Sequence, residues 1–364
     1  MVNTQKRCSR CTLPETTPQI SFDQKGICNY CQAYKKFKIE GENNLIKILD
    51  AHRNPGKKFE CIVNISGGRD SAYTLLKLVK DYGMKVLALN YENPYTDEQA
   101  KRNIENAVRI LNIDIIRFKF KGGIHESCFK NNLIAWFKNP SAAMVPMMCI
   151  GCKIIWKKIL EIAKRYDITL IVNGGNPYEY TSFKKELLNV SESEDLKSSY
   201  SKNLGSLIKE SLKNYIYLKP QYLPTLIKGY LFANQYSIGS RIYGKNIERI
   251  DLFHYIKWDE KGVISRITSE LGWDYPHELK STWRFDCKIG HLKDYLYMKT
   301  LGMTEKDDFY AKMVREGLIS REESLNRLKI ENQIHLGIVE EVIKQAGLSN
   351  ELPCEYKVEY RKKR

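Results

Sequence analysis

A buried strand that leads directly into a Gly-Gly turn and a helix constrains this chain more than any other feature. Cys61–Ile65 has the length and β-branched content of a buried strand, and Ala72–Val79 has the pattern of a following helix. A Gly-Gly pair lets the backbone approach an anion, and the helix start offers free N–H groups. The sequence predicts a phosphate-binding loop made of Ser66, Gly67, Gly68, Arg69, Asp70 and Ser71.

The side chains of this loop add chemistry to the backbone. Ser66 and Ser71 bring hydroxyl donors, and Asp70 would repel phosphates unless it holds Mg²⁺, which bridges phosphate oxygens with carboxylate help. We therefore predict Ser66, Asp70 and Ser71 as catalytic residues. The simpler alternative is a βα turn that uses Gly, Asp and Ser only as caps, but the complete six-residue pattern after a strand favours a phosphate site.

The loop resembles the PP-loop of the ATP pyrophosphatase superfamily, because its S-G-G-x-D-S pattern is met at every fixed position. It is not the G-x-x-x-x-G-K-[ST] loop, since no Lys-Ser or Lys-Thr pair follows the glycines. The resemblance implies that residues 66–71 cradle the pyrophosphate end of ATP. It also implies cleavage between the α and β phosphates, transfer of AMP to a substrate oxygen, and ATP and Mg²⁺ as cofactors.

Strand-like and helical segments alternate along the rest of the chain. Strands are predicted at Val86–Asn90, Ile113–Phe118, Leu170–Asn176 and Asp251–Trp258, and helices at Asp97–Leu111, Leu133–Trp136, Ile154–Tyr166 and Gly262–Leu271. This order predicts an α/β fold with a doubly wound parallel sheet, of the adenine nucleotide alpha hydrolase-like type that the PP-loop resemblance implies. Ligands bind at the carboxyl ends of such strands, so we expect the adenosine or the reacting carbonyl near Asn90, Gly174, Gly175 and Asn176.

Four cysteines near the N-terminus have the spacing of a metal ribbon. Cys8 and Cys11 form one C-x-x-C pair, Cys28 and Cys31 form another, and 16 residues separate the pairs. Each pair can place two thiolates on one side of a tetrahedral ion, and Gly26 suits the turn before the second pair. We predict a structural Zn²⁺ with the ligands Cys8, Cys11, Cys28 and Cys31.

A second cysteine set leaves three alternatives open. Cys149 and Cys152 form a C-x-x-C ahead of a helix, and Cys287 lies far downstream. The tRNA-thiolating relatives of the PP-loop superfamily hold an iron–sulfur cluster with cysteines in this order. The alternatives are a second zinc site or a substrate pocket lined by free thiols. Cys61, Cys128 and Cys354 show no partner spacing and are expected to be buried or surface thiols.

Net charge and hydropathy limit which partners and which cellular compartment we expect for this chain. The 364 residues carry a formal net charge of +16, which favours an anionic partner. No apolar run of roughly 18 residues is present, and the first eight residues lack an apolar signal core. We predict a cytoplasmic protein with no membrane partner.

The domain prediction comprises a zinc ribbon at 1–40, a PP-loop domain at 41–290 and a helical extension at 291–364. An insertion at about 178–245 interrupts the middle part. Within it, 189–206 is predicted to be a mobile loop. The mixture of aromatic, apolar and basic residues at 215–243 is consistent with a lid, a nucleic-acid surface, a docking surface or ordinary helical packing.

Longer segments carry a second resemblance, at Arg7–Glu15, Thr17–Asp23, Pro146–Cys152, Trp283–Cys287 and Thr304–Gly317. Together they resemble the N-acetyl sugar amidotransferases of bacterial surface-polysaccharide, O-antigen (lipopolysaccharide) and nonulosonic-acid biosynthesis. The resemblance implies an enzyme that converts an acetamido group of a nucleotide-linked N-acetyl sugar into an acetamidino group. It also implies a separate glutaminase and a barrel-type subunit that delivers ammonia, since this chain lacks a glutaminase cysteine motif.

The main rival is a tRNA sulfurtransferase, which uses the same adenylation chemistry on another substrate. Net charge and both C-x-x-C sets support it. Nucleic acid is an expected partner only under this alternative. Lys153 and Arg284 are further candidates for phosphate or sugar contacts under either function.

Overall fold

The computed structural model describes residues 5–188 and 205–348. Its centre is a five-stranded, fully parallel sheet with the order β3-β2-β1-β4-β5. The strands are β1 (Cys61–Asn64), β2 (Val86–Tyr91), β3 (Asp114–Phe118), β4 (Leu170–Asn173) and β5 (Glu248–Asp251). The strand order reverses between β1 and β4, and the predicted fold class is confirmed.

The helices fill the connections between strands and form the C-terminal region. Those before β4 are α1 (Asn29–Gln32), α2 (Glu42–His52), α3 (Arg69–Leu76), α4 (Glu98–Leu111), α5 (Ile124–Lys138), α6 (Ile150–Lys153) and α7 (Ile155–Arg165). Those after β4 are α8 (Phe183–Leu187), α9 (Leu223–Leu231), α10 (Ile238–Tyr243), α11 (Glu260–Leu271), α12 (Ile289–Leu301), α13 (Glu305–Glu316), α14 (Arg321–Glu331) and α15 (Leu336–Gln345). Residues 205–211 are also helical, and within the described residues no helix has the length and apolarity to cross a bilayer.

The sheet is covered on both faces because alternate residues of each strand point in opposite directions. Cys61 and Val63 of β1 pack into the layer formed by α3, α4 and α11. Ile62, between them, packs into the opposite layer with Ile159 and Leu160 of α7. Buried residues in consecutive positions therefore mark a strand that is enclosed from both sides.

Two sequence predictions of local structure need correction. The strand predicted at Asp251–Trp258 is wrong, because β5 ends at Asp251 and a 3₁₀ turn follows at Leu252–His254. Apolar residues of that turn, including Leu252 and Phe253, are buried against the core, which produced a strand-like pattern. The helix predicted at Leu133–Trp136 is part of the longer α5.

A second apolar core lies beside the sheet and joins distant parts of the chain. It contains the four ribbon cysteines together with residues of α5, α12 and α15. Ile216 and Leu226, from the segment between β4 and β5, also pack into it, so part of that segment is ordinary core. The domain boundaries remain predictions, and 189–204, 349–364 and Cys354 lie outside the described residues.

Candidate active site

The predicted phosphate loop lies where β1 ends and α3 begins. Gly67 has φ +84°, and a Cβ at this position would lie 2.1 Å from the carbonyl oxygen of Ala100 in α4. Only glycine allows this approach. The loop folds back on itself, since the Ser66 and Ser71 hydroxyls lie 3.2 Å apart and the Ser71 hydroxyl donates to the Gly68 carbonyl at 3.0 Å. The backbone at the start of α3 is therefore held in one conformation.

The loop opens into a cavity of about 840 Å³, which we call the central cavity. Of the predicted loop residues, Ser66, Gly68, Arg69, Asp70 and Ser71 line it, and Gly174 lines it from the end of β4. A Cβ on Gly174 would lie 2.6 Å from the Asp70 carbonyl oxygen, so glycine lets the β4 turn touch the phosphate loop. Gly67 does not line the cavity and packs instead against the backbone of Ala100 in α4.

Asp70 is held at the cavity wall by an indole. Trp258 Nε1 donates to Asp70 Oδ1 at 3.0 Å, and the Arg69 guanidinium lies 3.5 Å from the same oxygen. Burial raises the pKa of Asp70 to about 6; Arg69 opposes this shift and the negative charge of Glu179 adds to it. The Asp70 carboxyl group therefore takes up a proton more readily than an exposed aspartate does.

The Arg69 side chain forms ion pairs with carboxylates of neighbouring segments. Its guanidinium pairs with Glu260 at 2.5 Å and Glu179 at 3.3 Å, and it lies 5.0 Å from the Trp258 ring centroid. The side chain is 3% exposed. Arg69 thus holds the surrounding loops against the start of α3, and its backbone remains part of the loop.

Four of the predicted residues, Gly67, Asn90, Gly175 and Asn176, lie outside the lining of the central cavity. The Asn90 amide donates to the Ile65 carbonyl at 2.8 Å, and Asn90 faces a separate hollow of about 330 Å³ beyond β2. Asn176 accepts from the Tyr178 N–H at 2.9 Å, and its side chain lies close enough to the Asp70 carboxyl to oppose the rise in the pKa of that group. Gly175 packs against Asp251.

Asp286 is a site residue that sequence reasoning missed. It lines the central cavity, and a Cβ on Gly68 would lie 3.4 Å from its carboxylate. Burial raises the pKa of Asp286, and the Ser66 hydroxyl opposes that shift. Asp70 and Asp286 thus place two carboxyl groups beside the phosphate loop, a donor set that fits Mg²⁺ bound together with phosphate oxygens. Its position next to Cys287 was the available signal.

Basic side chains also line the central cavity. Lys184, Arg284 and Lys293 all pair with one buried carboxylate, Glu305, with distances of 3.1 Å for Arg284 and 2.9 Å for Lys293. These cations hold the pKa of Glu305 well below its usual range despite its burial. Arg284 also pairs with Glu179, so the positive charge left for an anionic ligand comes mainly from Lys184 and Lys293, which share Glu305.

Lys153 also lines the cavity and has no ion-pair partner among residues 5–188 and 205–348. Arg284, the other sequence candidate, is additionally bound to Glu179 at 3.2 Å. Lys153 is thus the cavity lysine whose charge is available to a ligand, whereas Arg284 is already partly neutralised.

The second cysteine set reaches the same cavity. Cys149 and Cys287 line it, and the Asn93 amide donates to Cys287 Sγ at 3.2 Å. Burial raises the pKa of Cys287 to about 12. Cys152 lies behind, with its Sγ 3.0 Å from His125 Nε2, while His125 Nδ1 is 2.8 Å from the Tyr91 hydroxyl. No sequence pattern identified His125.

The two cysteine sets differ in whether their side chains are close enough together to bind one metal ion. Across residues 5–188 and 205–348, the one group of three or more His, Cys, Asp or Glu side chains whose ligand atoms all lie within 4.8 Å of one another is Cys8, Cys11, Cys28 and Cys31. The Cys8–Cys31 and Cys11–Cys28 sulfur pairs are each 3.8 Å apart. A tetrahedral zinc with Zn–S of about 2.3 Å separates its sulfurs by about 3.8 Å, so this set fits zinc. Cys149, Cys152 and Cys287 do not form such a group, and their zinc, cluster and free-thiol alternatives all remain predictions.

Comparisons with known proteins give limited similarity. No protein-family model matches the chain. The uncharacterized protein MJ1599 of Methanocaldococcus jannaschii is 27% identical over 114 residues, which cover 30% of this chain and 41% of that protein. The chain therefore spans less than half of the length of this curated relative.

Two solved structures are also similar. NMN synthetase from Francisella tularensis has a TM-score of 0.35 and 12% identity, with 85% of this chain and 92% of that chain covered. The U34-tRNA thiolase NcsA from Methanococcus maripaludis, solved with its [4Fe-4S] cluster, has a TM-score of 0.34 and 15% identity, with 99% and 93% covered. TM-scores this low carry no conclusion about activity, so the function rests on the cavity itself.

Proposed function

We propose that this chain is an ATP-dependent, AMP-forming amidotransferase that acts on a nucleotide-linked N-acetyl sugar. The observation that carries the proposal is the meeting of three features in one cavity of about 840 Å³. These features are the phosphate loop, a pair of carboxyl groups, and a basic wall with Lys153 free to contact an anion. Such a cavity suits a reaction between two phosphate-bearing ligands.

The reaction balances as two displacements, the first at the α-phosphorus of ATP and the second at the acetamido carbon. The amide oxygen attacks the α-phosphorus of ATP, the bond to the β-phosphate oxygen breaks, and pyrophosphate leaves. Ammonia then attacks the carbon of the resulting O-adenylyl imidate, AMP leaves with the original oxygen, and loss of a proton gives the amidine. AMP is a far better leaving group than the amide oxygen, which is why activation must come first.

The residues divide this work by position. The N–H groups at the start of α3 and the hydroxyls of Ser66 and Ser71 would bind the pyrophosphate end of ATP. Asp70 and Asp286 would hold Mg²⁺, which neutralises phosphate charge when bound. Lys153 would contact a phosphate of either ligand. The Cys8–Cys31 ribbon would hold zinc as a structural element away from the chemistry.

The direct test is product analysis. Purified protein is incubated with ATP, Mg²⁺, ammonium and a panel of nucleotide-linked N-acetyl sugars, and AMP and sugar masses are measured. We expect AMP formation that requires both the sugar and ammonium, with a sugar product lighter by about one mass unit because NH replaces O. AMP formation at the same rate with and without the nucleotide-linked sugar would contradict the proposal.

A tRNA sulfurtransferase is the second candidate, and one observation favours it. Cys149 and Cys287 line the same cavity as the phosphate loop, where thiol chemistry could meet an adenylated base. In the same assay, AMP release that depends on tRNA and a sulfur donor, but not on any sugar, would establish this alternative.

The ammonia would come from a separate glutaminase and a barrel-type subunit, as the family resemblance implies. The net charge of +16 suits docking to an acidic partner. Pull-down of the partners at low and high salt tests this, because association through surface charge weakens as salt rises. The predicted cytoplasmic location belongs to the same proposal.

A further inference from the structure

A smaller chamber of about 300 Å³ opens beside the central cavity. We call it the side chamber. Tyr180, Asn234 and Tyr236 line both spaces, so the two are neighbours across these residues. The side chamber lies beyond the carboxyl ends of β1, β4 and β5, where ligands of parallel sheets bind. No motif in the sequence indicated it.

One wall of the side chamber is a continuous row of amide and carboxyl groups. Asn64 Nδ2 donates to Asn173 Oδ1 at 2.9 Å, and Asn173 Nδ2 donates to Gln235 Oε1 at 3.2 Å. Gln235 Nε2 then donates to Asp251 Oδ2 at 2.6 Å, and the Tyr236 hydroxyl lies 3.4 Å from the same oxygen. Each group is oriented by its neighbour, so the wall presents a fixed hydrogen-bonding pattern.

Asp251 ends this row and is placed by a glycine. Asp251 is 4% exposed, and a Cβ on Gly175 would lie 2.4 Å from Asp251 Oδ1. Any side chain at Gly175 would therefore displace the carboxyl group. The glycine turn after β4 thus serves both spaces, since Gly174 contacts the phosphate loop and Gly175 contacts the side chamber.

Another part of the side-chamber lining is apolar and aromatic. Ile155, Trp156 and Ile159 of α7 provide it. The residues that line the side chamber include no Lys or Arg, whereas the central cavity has Lys153, Lys184 and others. The two spaces therefore differ in charge, with the central cavity suited to phosphates and the side chamber to an uncharged ring.

We propose that the side chamber binds the pyranose ring of the acceptor sugar and directs its acetamido group toward the phosphate loop. A pyranose has an apolar C–H face that packs on an aromatic wall and hydroxyls that donate to amide and carboxyl oxygens. The phosphates of the same substrate would then lie in the basic central cavity. This proposal rests on the proposed function, because it assigns a part of that substrate.

The test compares Asp251→Asn and Tyr236→Phe with wild type, and uses Asp114→Asn at the far edge of the sheet as the matched control. Asp114 is exposed and pairs with Lys58. Both chamber variants should raise the KM for the nucleotide sugar, roughly tenfold or more for Asp251→Asn, with the KM for ATP unchanged within twofold. Tyr236→Phe removes one hydroxyl and keeps the ring, so it remains informative if Asp251→Asn does not fold.

Saturation-transfer NMR gives a readout that does not depend on turnover. The probes are UDP-N-acetylglucosamine, UDP-N-acetylgalactosamine and CMP-N-acetylneuraminic acid with wild type and each variant. Saturation of pyranose protons in wild type that weakens in the chamber variants supports the proposal. Absence of pyranose saturation with all probes, or a rise in the ATP KM alone, overturns it. Pyranose binding without sugar-dependent AMP formation would instead contradict only the proposed function.

Discussion

The four-cysteine cluster and the central cavity both contain reactive side chains, but they use them in opposite ways. In the cluster, Cys8, Cys11, Cys28 and Cys31 are buried and face one another. In the cavity, Asp70, Asp286 and Lys153 face an open volume. Side chains that turn toward each other around one point can hold a fold together, whereas side chains around a space are arranged for a ligand.

The attachment of the two regions differs as well. The cluster is bound to the C-terminal helices, since Arg321 of α14 donates to the Cys8 and Cys11 carbonyls at 3.0 Å and Arg7 pairs with Asp307 of α13 at 2.8 Å. The cavity draws its lining from segments between Ser66 and Lys293. Damage to the cluster should therefore affect stability, and damage to the cavity should affect chemistry.

The largest effect is expected from Cys11→Ser. Losing one of four ligands should release the zinc and destabilise the fold by more than about 4 kcal/mol, because metal binding at such sites is also folding free energy. Metal content by mass spectrometry and chemical denaturation measure this. A variant that lost zinc and kept wild-type stability would show that the cluster is not structural.

Asp70→Asn should have the opposite profile. AMP formation should fall roughly 10²- to 10³-fold, about 3–4 kcal/mol of transition-state stabilisation. Stability at pH 7 should not fall, because burying the ionised carboxylate costs free energy and Asn retains an oxygen for the Trp258 indole. Single-turnover AMP assays and thermal melts test the pair of outcomes. If Asp70→Asn unfolded, Asp70 would contribute to stability as the cluster cysteines do, and the expected difference between the cavity and the cluster would be wrong.

The pH dependence should separate the regions further. The pKa of Asp70 is about 6 in the folded protein, raised by burial above its unfolded value of about 3.9. Protonation below pH 6 should therefore weaken Mg²⁺-dependent ATP binding by about tenfold per pH unit. The same shift makes the group's contribution to stability greater at acid pH, and that contribution declines as pH rises through 6. Calorimetric titration of Mg²⁺–ATP with wild type and Asp70→Asn measures it, and the variant should lack the pH step.

The smallest stability effect is expected from Cys149→Ser. Cys149 is partly exposed at the cavity wall, so the free energy of unfolding should change by less than about 1 kcal/mol and the zinc content should stay the same. This variant is the matched control for Cys11→Ser. Loss of bound iron and visible absorbance from anaerobically purified protein would instead show that the cavity cysteines hold a cluster.

Local patterns were enough to predict much of the fold. The apolar runs at β1, β2 and β4 and the amphipathic helix α4 appear close to their expected bounds. β5 was misplaced because its first residues, Glu248 and Arg249, are polar, while the turn after it is buried. An edge strand with one exposed side gives a weaker signal than a strand enclosed on both faces.

Prediction of the site was most complete where one short segment forms it, although Gly174 and Lys153 of other segments were also predicted and line the central cavity. The loop Ser66–Ser71 is contiguous, so its glycines and hydroxyls could be identified from the sequence. Asp286, His125 and Asp251 come from separate segments, and each is an ordinary polar residue in its own neighbourhood. Their roles arise from the contacts that the sheet order creates between distant parts of the chain.

Short-range patterns along the chain specify the strand–turn–helix at the phosphate loop, the spacing of the four ribbon cysteines and the alternation that leads to a parallel sheet. These features depend on interactions within a few residues or on a period of the chain. Tertiary structure decided that Cys149 and Cys287 share a cavity with the loop, that Arg69 clamps neighbouring segments, and that Asp251 lines a chamber. The reason is physical, because burial, charge pairing and cavity shape depend on which distant segments pack together.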